Sequence, residues 1–408
     1  MKDVLKIVIV SGFPLSMNPR VVKEADALSE AGHKVTVLTA IFSEIEGARE
    51  TAIASHRNWR CVFLANAASK NPIMKLHWLC LRARRAFFNL LHLRFGFSSH
   101  YQLGYCSAEL LRYCKKNRAD HYSLHLESSL ATAPLLSSLS RRYSVDFEDW
   151  YSHDLAEAQQ EDRPSRLIET LELQALKGAV FSTAASNAMA AAIHEKHGNP
   201  HPITLYNCFE LSLAEPVQTR AVQSETVQSN STTLRICWFS QTVGATRGLE
   251  ELLAATNDLD RVEVHLIGNC SSQYKDELLS IDSKTQFHGY ISADQLADYL
   301  ENFHIGYAGE TSKIVSRDLT VTNKVFQYLL AGLPIIASKT QGQIEMAQQI
   351  PAAFHLFSDK ETLIAGIRYW QITENLAKGK SAALDATTTR FNWEIESAQL
   401  LEAISSSS

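Results

Sequence analysis

Apolar and polar positions change period repeatedly along this chain. Residues 6–10 (KIVIV) form an unbroken, largely β-branched run, the pattern of a parallel strand covered on both faces. The run ends at Ser11-Gly12. A helical pattern begins after Asn18, which suits an N-cap, with Pro19 at the first helical position and Gly32 as the stop. HKVTVLTA (33–40) reads as a second strand. Strand, glycine turn, helix and strand make a βαβ unit, the opening of a parallel sheet. The same grammar predicts a strand over 120–126, a helix near Thr132 to Arg142 and a strand within YSVDFED (143–149).

Residues 211–233 are rich in Gln, Ser, Thr and Val with little periodicity, and read as a linker. Beyond them the grammar restarts. LRICWFS (234–240), VEVHLIG (262–268), TQFHGYI (285–291), HIGYAG (304–309) and LPIIAS (333–338) are predicted strands. GLEELLAA (248–255), SADQLADYLENF (292–303, capped by Ser292) and NKVFQYLLAG (323–332) are predicted helices, and FNWEIESAQLLEAI (391–404) is a terminal one. The expected architecture is α/β: two Rossmann-like, doubly wound domains facing a cleft. Their expected bounds are 1–210 and 234–380, joined by the 211–233 linker and followed by a C-terminal helix in 381–408 that could cross back to the N-terminal domain. Open α/β sheets bind ligands at the carboxyl ends of their strands, so both domains can offer loops to a ligand.

Composition narrows this picture. At 408 residues, 45% hydrophobic and 20% charged with net charge -5, the chain has the content of folded domains, not of a disordered one. No apolar run reaches the roughly 18 residues a spanning helix needs. The first residues read as a buried strand, not as a signal peptide. Seven scattered cysteines without a CxxC pair argue against a zinc site or a disulfide framework and fit a reducing cytoplasm. Several motifs fail on spacing. GKS at 379–381 lacks the P-loop glycine, His194 and His197 are three apart, and the first βα turn has no GxGxxG.

Residues 309–338 carry the most chemistry. A strand end and a long polar loop lead to a helix opening with Thr322, Asn323 and Lys324. Free amides, the helix dipole and a first-turn lysine together attract a diphosphate. A lysine at a helix start is electrostatically misplaced unless an anion compensates it; the alternative is an exposed lysine on a tolerated end.

AGLPIIAS after an amphipathic helix, the NK-x-F-x-Y opening, WFSQTVGATRGLEELLAA, the later FNWE and the early NPRVVKEADALSEAGHKVTVL together resemble GT-B-fold glycosyltransferases of the family 4 (group 1) type. The order of these motifs carries the resemblance over nearly the whole chain. It implies a nucleotide-sugar donor held mainly by the C-terminal domain and transfer with retention of configuration. It also implies no metal and no cofactor beyond the donor itself. Of the family's basic pair for the donor phosphates, Arg247 matches the second member, while the first falls on Gln241; Lys324 could supply the missing charge. The family's glutamate pair maps to Leu319 and Gln327. Gln327 can still hydrogen-bond a ribose, Leu319 cannot replace a carboxylate, and Asp318 is one residue away. Where the family often places a histidine near the sugar stands Glu148, between Asp146 and Asp149, a candidate to orient hydroxyls or accept the acceptor's proton. Gly12, at the first strand's exit, allows close backbone approach. Tyr290 falls in the expected base-binding loop, or in the core.

Residues 51–108 contain no Asp or Glu but eight Lys and Arg. Within 73–97, Lys75, Arg82, Arg85 and His92 are expected on one helical face and Met74, Leu81, Phe88 and Phe95 on another. Such a helix suits an anionic membrane surface, or packs on the core with its basic face solvated. Nucleic acid is disfavoured, because no recognition motif accompanies the charge. The expected function is a glycosyltransferase of surface polysaccharide or glycolipid biosynthesis, cytoplasmic or peripheral on the inner membrane face, acting on a lipid-linked or saccharide acceptor. A non-catalytic nucleotide-sugar-binding partner and a sugar-nucleotide epimerase are the alternatives.

Overall fold

The computed structural model describes residues 4–155, 163–198, 200–213 and 233–407. The chain divides into two compact units. The first comprises Met1–Ala185, Met189–Leu205 and Ser397–Ser408; the second comprises Ser186–Ala188 and Tyr206–Glu396.

The first unit is built on a parallel sheet. Its strands are β1 (Lys6–Val10), β2 (Lys34–Ile41), β3 (Arg60–Asn66), β4 (His121–His125), β5 (Tyr143–Phe147), β6 (Phe181–Ala184) and β7 (Ile203–Thr204), in the order β3-β2-β1-β4-β5-β6-β7. Ile7 to Val10 are all buried, as a strand with both faces covered requires. The helix Pro19–Glu30 starts as its sequence predicts. The Asn18 side chain accepts from the Val21 amide at 3.2 Å, and beyond the last turn Gly32 takes φ +92°, a value that favours glycine. Val21 and Leu28 on that helix pack with Ile7, Ile9 and Val37, and with Leu400 and Ile404 of the helix Trp393–Ser406. The helix expected near 132–142 is confined to Ala133–Ser138, because Ser140 turns to φ +49°.

The second unit repeats the design. Strands β8 (Leu234–Val243), β9 (Val262–Cys270), β10 (Gln286–His288), β11 (Ile305–Ala308), β12 (Ile335–Ser338) and β13 (Phe354–Phe357) are all parallel, in the order β10-β9-β8-β11-β12-β13. Counted within the unit this is 3-2-1-4-5-6, the doubly wound order, and both units reverse winding between their first and fourth strands. Strand β8 runs longer than its apolar pattern predicts, through a register shift between Phe239 and Thr242. Gly268 on β9 makes that possible: its φ is +140°, and a Cβ there would lie 2.3 Å from the Ser240 carbonyl oxygen. Trp238 on β8 and Trp370 are fully buried in this unit's core with Ile236, Leu266, Ile305 and Ile336. Of the expected linker, Leu211–Leu213 forms a single 3-10 turn and residues 214–232 lie outside the described residues.

One long helix differs from its sequence reading. In Pro72–Phe95, Leu81 is buried and Met74 and Phe88 are half-buried on the expected apolar face, as is Trp78, whereas Phe95, expected on that face, is 74% exposed. Of the expected basic face, Lys75 and Arg82 are exposed, but Arg85 and His92 are half-buried. Arg84 turns inward to Glu109 (2.7 and 3.1 Å) and the Tyr105 carbonyl, and Arg85 reaches the Gln102 carbonyl and lies over the Tyr105 ring. Outward instead stand Ile73, Leu76, Leu79, Phe87, Leu90 and Leu93, each more than half exposed, flanked by exposed Lys75, Arg82 and Arg94. Acceptors on the 3-10 turn His100–Gln102 and the helix Ser107–Lys116, with the Tyr105 carbonyl between them, draw the arginines in. Among the described residues no helix is long and apolar enough to cross a membrane, and all seven cysteines are free.

Candidate functional site

In the second unit the winding reverses between β8 and β11, so the loops leaving these two strands flank the crevice where such sheets take ligands. The loop after β8 carries Arg247. Two left-handed residues, Thr246 (φ +69°) and Gly248 (φ +68°), turn it, and the Tyr307 hydroxyl donates to the Gly248 carbonyl at 2.8 Å. A Cβ on Gly248 would lie 2.8 Å from that hydroxyl, so glycine is required for both reasons. The loop after β11 carries Glu310, whose amide donates to Ser338 Oγ at 2.8 Å, at the end of β12. Arg247 Nη1 lies 3.2 Å from both Glu310 carboxylate oxygens, and Lys324 Nζ lies 3.9 Å from Oε1. Lys324 is not in bulk water: its side chain is 15% exposed, with Nζ 5.2 Å from the centroid of the Trp238 ring. Burial lowers its pKa; Glu310 opposes that, while Arg247 and Arg317 add to it. Three cations and one carboxylate thus act in this corner, an excess of two positive charges.

Lys324 opens the helix Asn323–Leu330. Thr322 occupies the N-cap, but its side chain caps no amide, and its Oγ1 is buried without a partner among the described residues. Asn323 is exposed and its Oδ1 accepts from Asn207 Nδ2 at 2.9 Å. Gln327 is buried, with Oε1 unpartnered. Gln241 is exposed within the register shift in β8, and Tyr290 follows β10 at 39% exposure, on the surface and not in the core. Leu319 offers only its carbonyl, which accepts from Ser186 Oγ at 2.6 Å. Asp318 is engaged by the Gln341 amide at 3.3 Å. Neither Glu310 nor Arg317 was singled out by sequence. Glu310 sits directly after a short buried strand, where strand-end position was the available signal.

The first unit gathers a second set of charges at its own reversal, between β1 and β4. Gly12 leaves β1 at φ +67°, its amide bonded to the Leu38 carbonyl; a Cβ would lie 3.0 Å from Leu110 Cδ1, so its lack of a side chain serves packing. Arg20, fully buried, donates to Asp146 Oδ1 at 2.6 Å and to the Leu205 carbonyl at 2.8 Å, and lies 3.9 Å from Glu148 Oε1. His125 Nε2 lies 3.0 Å from Glu24, and its Nδ1 3.3 Å from Asp146. Burial alone would lower the His125 pKa, but the Glu24 and Asp146 carboxylates overcome it and hold it up at about 10. Asp146 is held far below the usual carboxylate range by Arg20 and His125, against its own burial. Two cations and two carboxylates are then balanced before Glu148 is counted. Burial and the neighbouring Asp146 push Glu148 up to about 7, against Arg20 and His125. A carboxyl poised near neutrality can both give and take a proton. Next to His125, Leu126 holds φ +64°, an uncommon strain for a leucine, with its amide donating to the Tyr151 hydroxyl. The sequence signal for this cluster was charge on an inward row: Arg20, Glu24 and Leu28 are spaced four apart on one helix face.

His125, Asp146 and Glu148 present ligand-type atoms within 4.8 Å of one another. Beside this set the Arg20 guanidinium bonds Asp146 at 2.6 Å, so a cation already stands within it.

A sequence family described as glycosyl transferase-like matches residues 246–402. No curated protein matches the chain by sequence. Solved structures match it along its length. The HepE protein of Anabaena in complex with UDP has 16% identity and a TM-score of 0.67, covering 99% of this chain and 100% of its own. A glycosyltransferase from Rickettsia africae has 14% identity and a TM-score of 0.64, covering 99% of each chain. The sucrose-phosphate synthase of Thermosynechococcus elongatus has 16% identity and a TM-score of 0.65, covering 98% of each. The fold is therefore α/β of the GT-B glycosyltransferase type, as the motif order implied.

Proposed function

We propose that this chain is a glycosyltransferase that moves a sugar from a nucleotide-sugar donor to a lipid-linked or saccharide acceptor in surface polysaccharide or glycolipid biosynthesis. Transfer proceeds with retention of configuration and without a metal. The observation that carries the reading is the convergence of Arg247 and Lys324 beside the uncapped start of the helix Asn323–Leu330, at the second unit's winding reversal. Negative charge builds on the departing diphosphate in the transition state, and cations fixed in place stabilise it there more than water can. Arg247 and Lys324 supply that charge in place of a metal, Thr322 and Asn323 present the helix start, and Gln241, Gln327 and Tyr290 serve the nucleoside and sugar. Gly12 and Glu148 belong to the first unit, where Glu148 is the candidate for accepting the acceptor's proton. The Anabaena protein was solved with UDP-glucose, which makes uridine nucleotides the first donors to try.

A thermal-shift screen of nucleoside diphosphates and their sugars, followed by transfer assays, tests the proposal. If no nucleotide raises the melting midpoint, or if transfer survives both Arg247→Ala and Lys324→Ala, the assignment is wrong. Leu319 and Gln327, standing where the resemblance expects carboxylates, favour a second reading: a non-catalytic partner that binds the nucleotide sugar. Binding without transfer or donor hydrolysis selects it.

The apolar outer face of Pro72–Phe95, rimmed by Lys75, Arg82 and Arg94, supports peripheral docking on an anionic inner membrane leaflet. In a vesicle flotation assay, anionic vesicles should retain more protein than neutral ones, and Leu76→Asp with Leu90→Asp should abolish the binding. Equal retention on both vesicles refutes the docking.

A further inference from the structure

The excess positive charge at the second unit's reversal is held in place by one acid. Glu310 is 5% exposed at its side chain and fixed through its amide to Ser338 Oγ. Both of its oxygens lie at 3.2 Å from Arg247, and one lies 3.9 Å from Lys324. It therefore stands near both cations, in the electrostatic position that the proposed function gives to a diphosphate. A carboxylate presents two acceptor oxygens to a guanidinium's N–H fork, as a phosphate does.

We propose that Glu310 is a built-in competitor for the donor diphosphate, an internal anion that orients Arg247 and Lys324 before binding and, by repelling the nucleoside diphosphate product, speeds its release. This rests on the assignment of Arg247 and Lys324 to the diphosphate. The physical reason is that one fixed negative charge near two cations lowers the potential that any incoming anion feels. At separations of several ångströms and an effective dielectric near 20, such a charge changes affinity by about 10- to 100-fold. An acid that served only to brace the two cations would act in the opposite direction, since its loss would let them disorder.

Isothermal titration of UDP into the wild type, Glu310→Gln and Glu310→Asp separates these cases. Glu310→Gln keeps shape and loses charge, and should bind UDP about 10- to 100-fold more tightly, with stronger product inhibition and a lower kcat. Glu310→Asp keeps the charge and should stay near the wild-type affinity. UDP affinity that is unchanged or weakened in Glu310→Gln, with the wild type still binding, overturns the proposal. If Glu310→Gln does not fold, Glu310→Ala carries the same expectation and the same refutation. If the wild type binds neither UDP nor any other nucleoside diphosphate, the diphosphate assignment itself has failed, and the proposal with it.

Discussion

Replacing Glu148 by Gln should make the protein more stable at alkaline pH while slowing transfer. Glu148 titrates at about 7 in the folded chain against an ordinary 4.5, because burial and Asp146 disfavour its charge. The unfolded chain therefore gives up this proton first. Stability is unaffected below about pH 4.5, falls as pH rises from there, and levels off above about pH 7. The pKa difference corresponds to roughly 3 kcal/mol, reduced to about 2–3 kcal/mol because the side chain is 20% exposed. Gln keeps the shape and never ionises, so it escapes the penalty. For a unit of about 200 residues, 1 kcal/mol moves the melting midpoint by about 2–4 °C. Scanning calorimetry of both proteins from pH 4 to pH 9 should show coincident midpoints in acid. Above pH 8 the variant should melt about 5–10 °C higher, while its transfer rate falls by about 100-fold or more. A difference that is constant with pH, or that widens toward acid, refutes the charge balance drawn for this cluster.

Three further outcomes follow from the packing. His125→Ala leaves Glu24 and Asp146 without their shared cation and should cost about 3–5 kcal/mol in urea unfolding at pH 6. Since the folded His125 pKa is about 10, the wild-type advantage should be full below pH 6.5 and decline as pH rises through 10. Gly268→Ala forces a Cβ to 2.3 Å from the Ser240 carbonyl at φ +140° and should destabilise the second unit by about 2 kcal/mol or more, read by thermal unfolding. Arg84→Ala leaves the buried Glu109 carboxylate with only the more distant Arg112, at 3.7 Å, and should cost about 1–3 kcal/mol, with faster amide exchange in Pro72–Phe95. Equal exchange in variant and wild type would contradict the anchoring role given to Arg84.

What the sequence showed depended on whether the governing interaction was local. The β-branched runs at 6–10 and 333–338 and the Asn18-Pro19 start are set by neighbours a few residues away, and they appear where periodicity and capping put them. Lys324 was legible because its position at a helix start was electrically anomalous. Its compensating anion was not: Glu310 lies 14 residues upstream and 63 from Arg247, brought there only by the pairing of β8 with β11. The cluster of Arg20, Glu24 and His125 was not singled out, because Arg20 and Glu24 share a helix row but their partners Asp146 and His125 lie 126 and 101 residues away. The inward turn of Arg84 and Arg85 on Pro72–Phe95 was hidden for a related reason. Apolar residues line more than one face of that helix, so the inward side is chosen by Glu109 and the Gln102 carbonyl, which sequence spacing does not reveal.

The helix Trp393–Ser406 begins among residues of the second unit and places Leu400 and Ile404 beside Ile7 and Ile9 of the first. Strand β1 is thus sealed by residues synthesised only after the whole of the second unit. While the second unit is being synthesised, the first waits with part of its apolar interior uncovered, and nascent-chain binding factors should engage it over that interval. A fragment ending near residue 205 would inherit the same gap permanently, so separate expression of the first unit calls for the 397–407 segment to be supplied in the same chain.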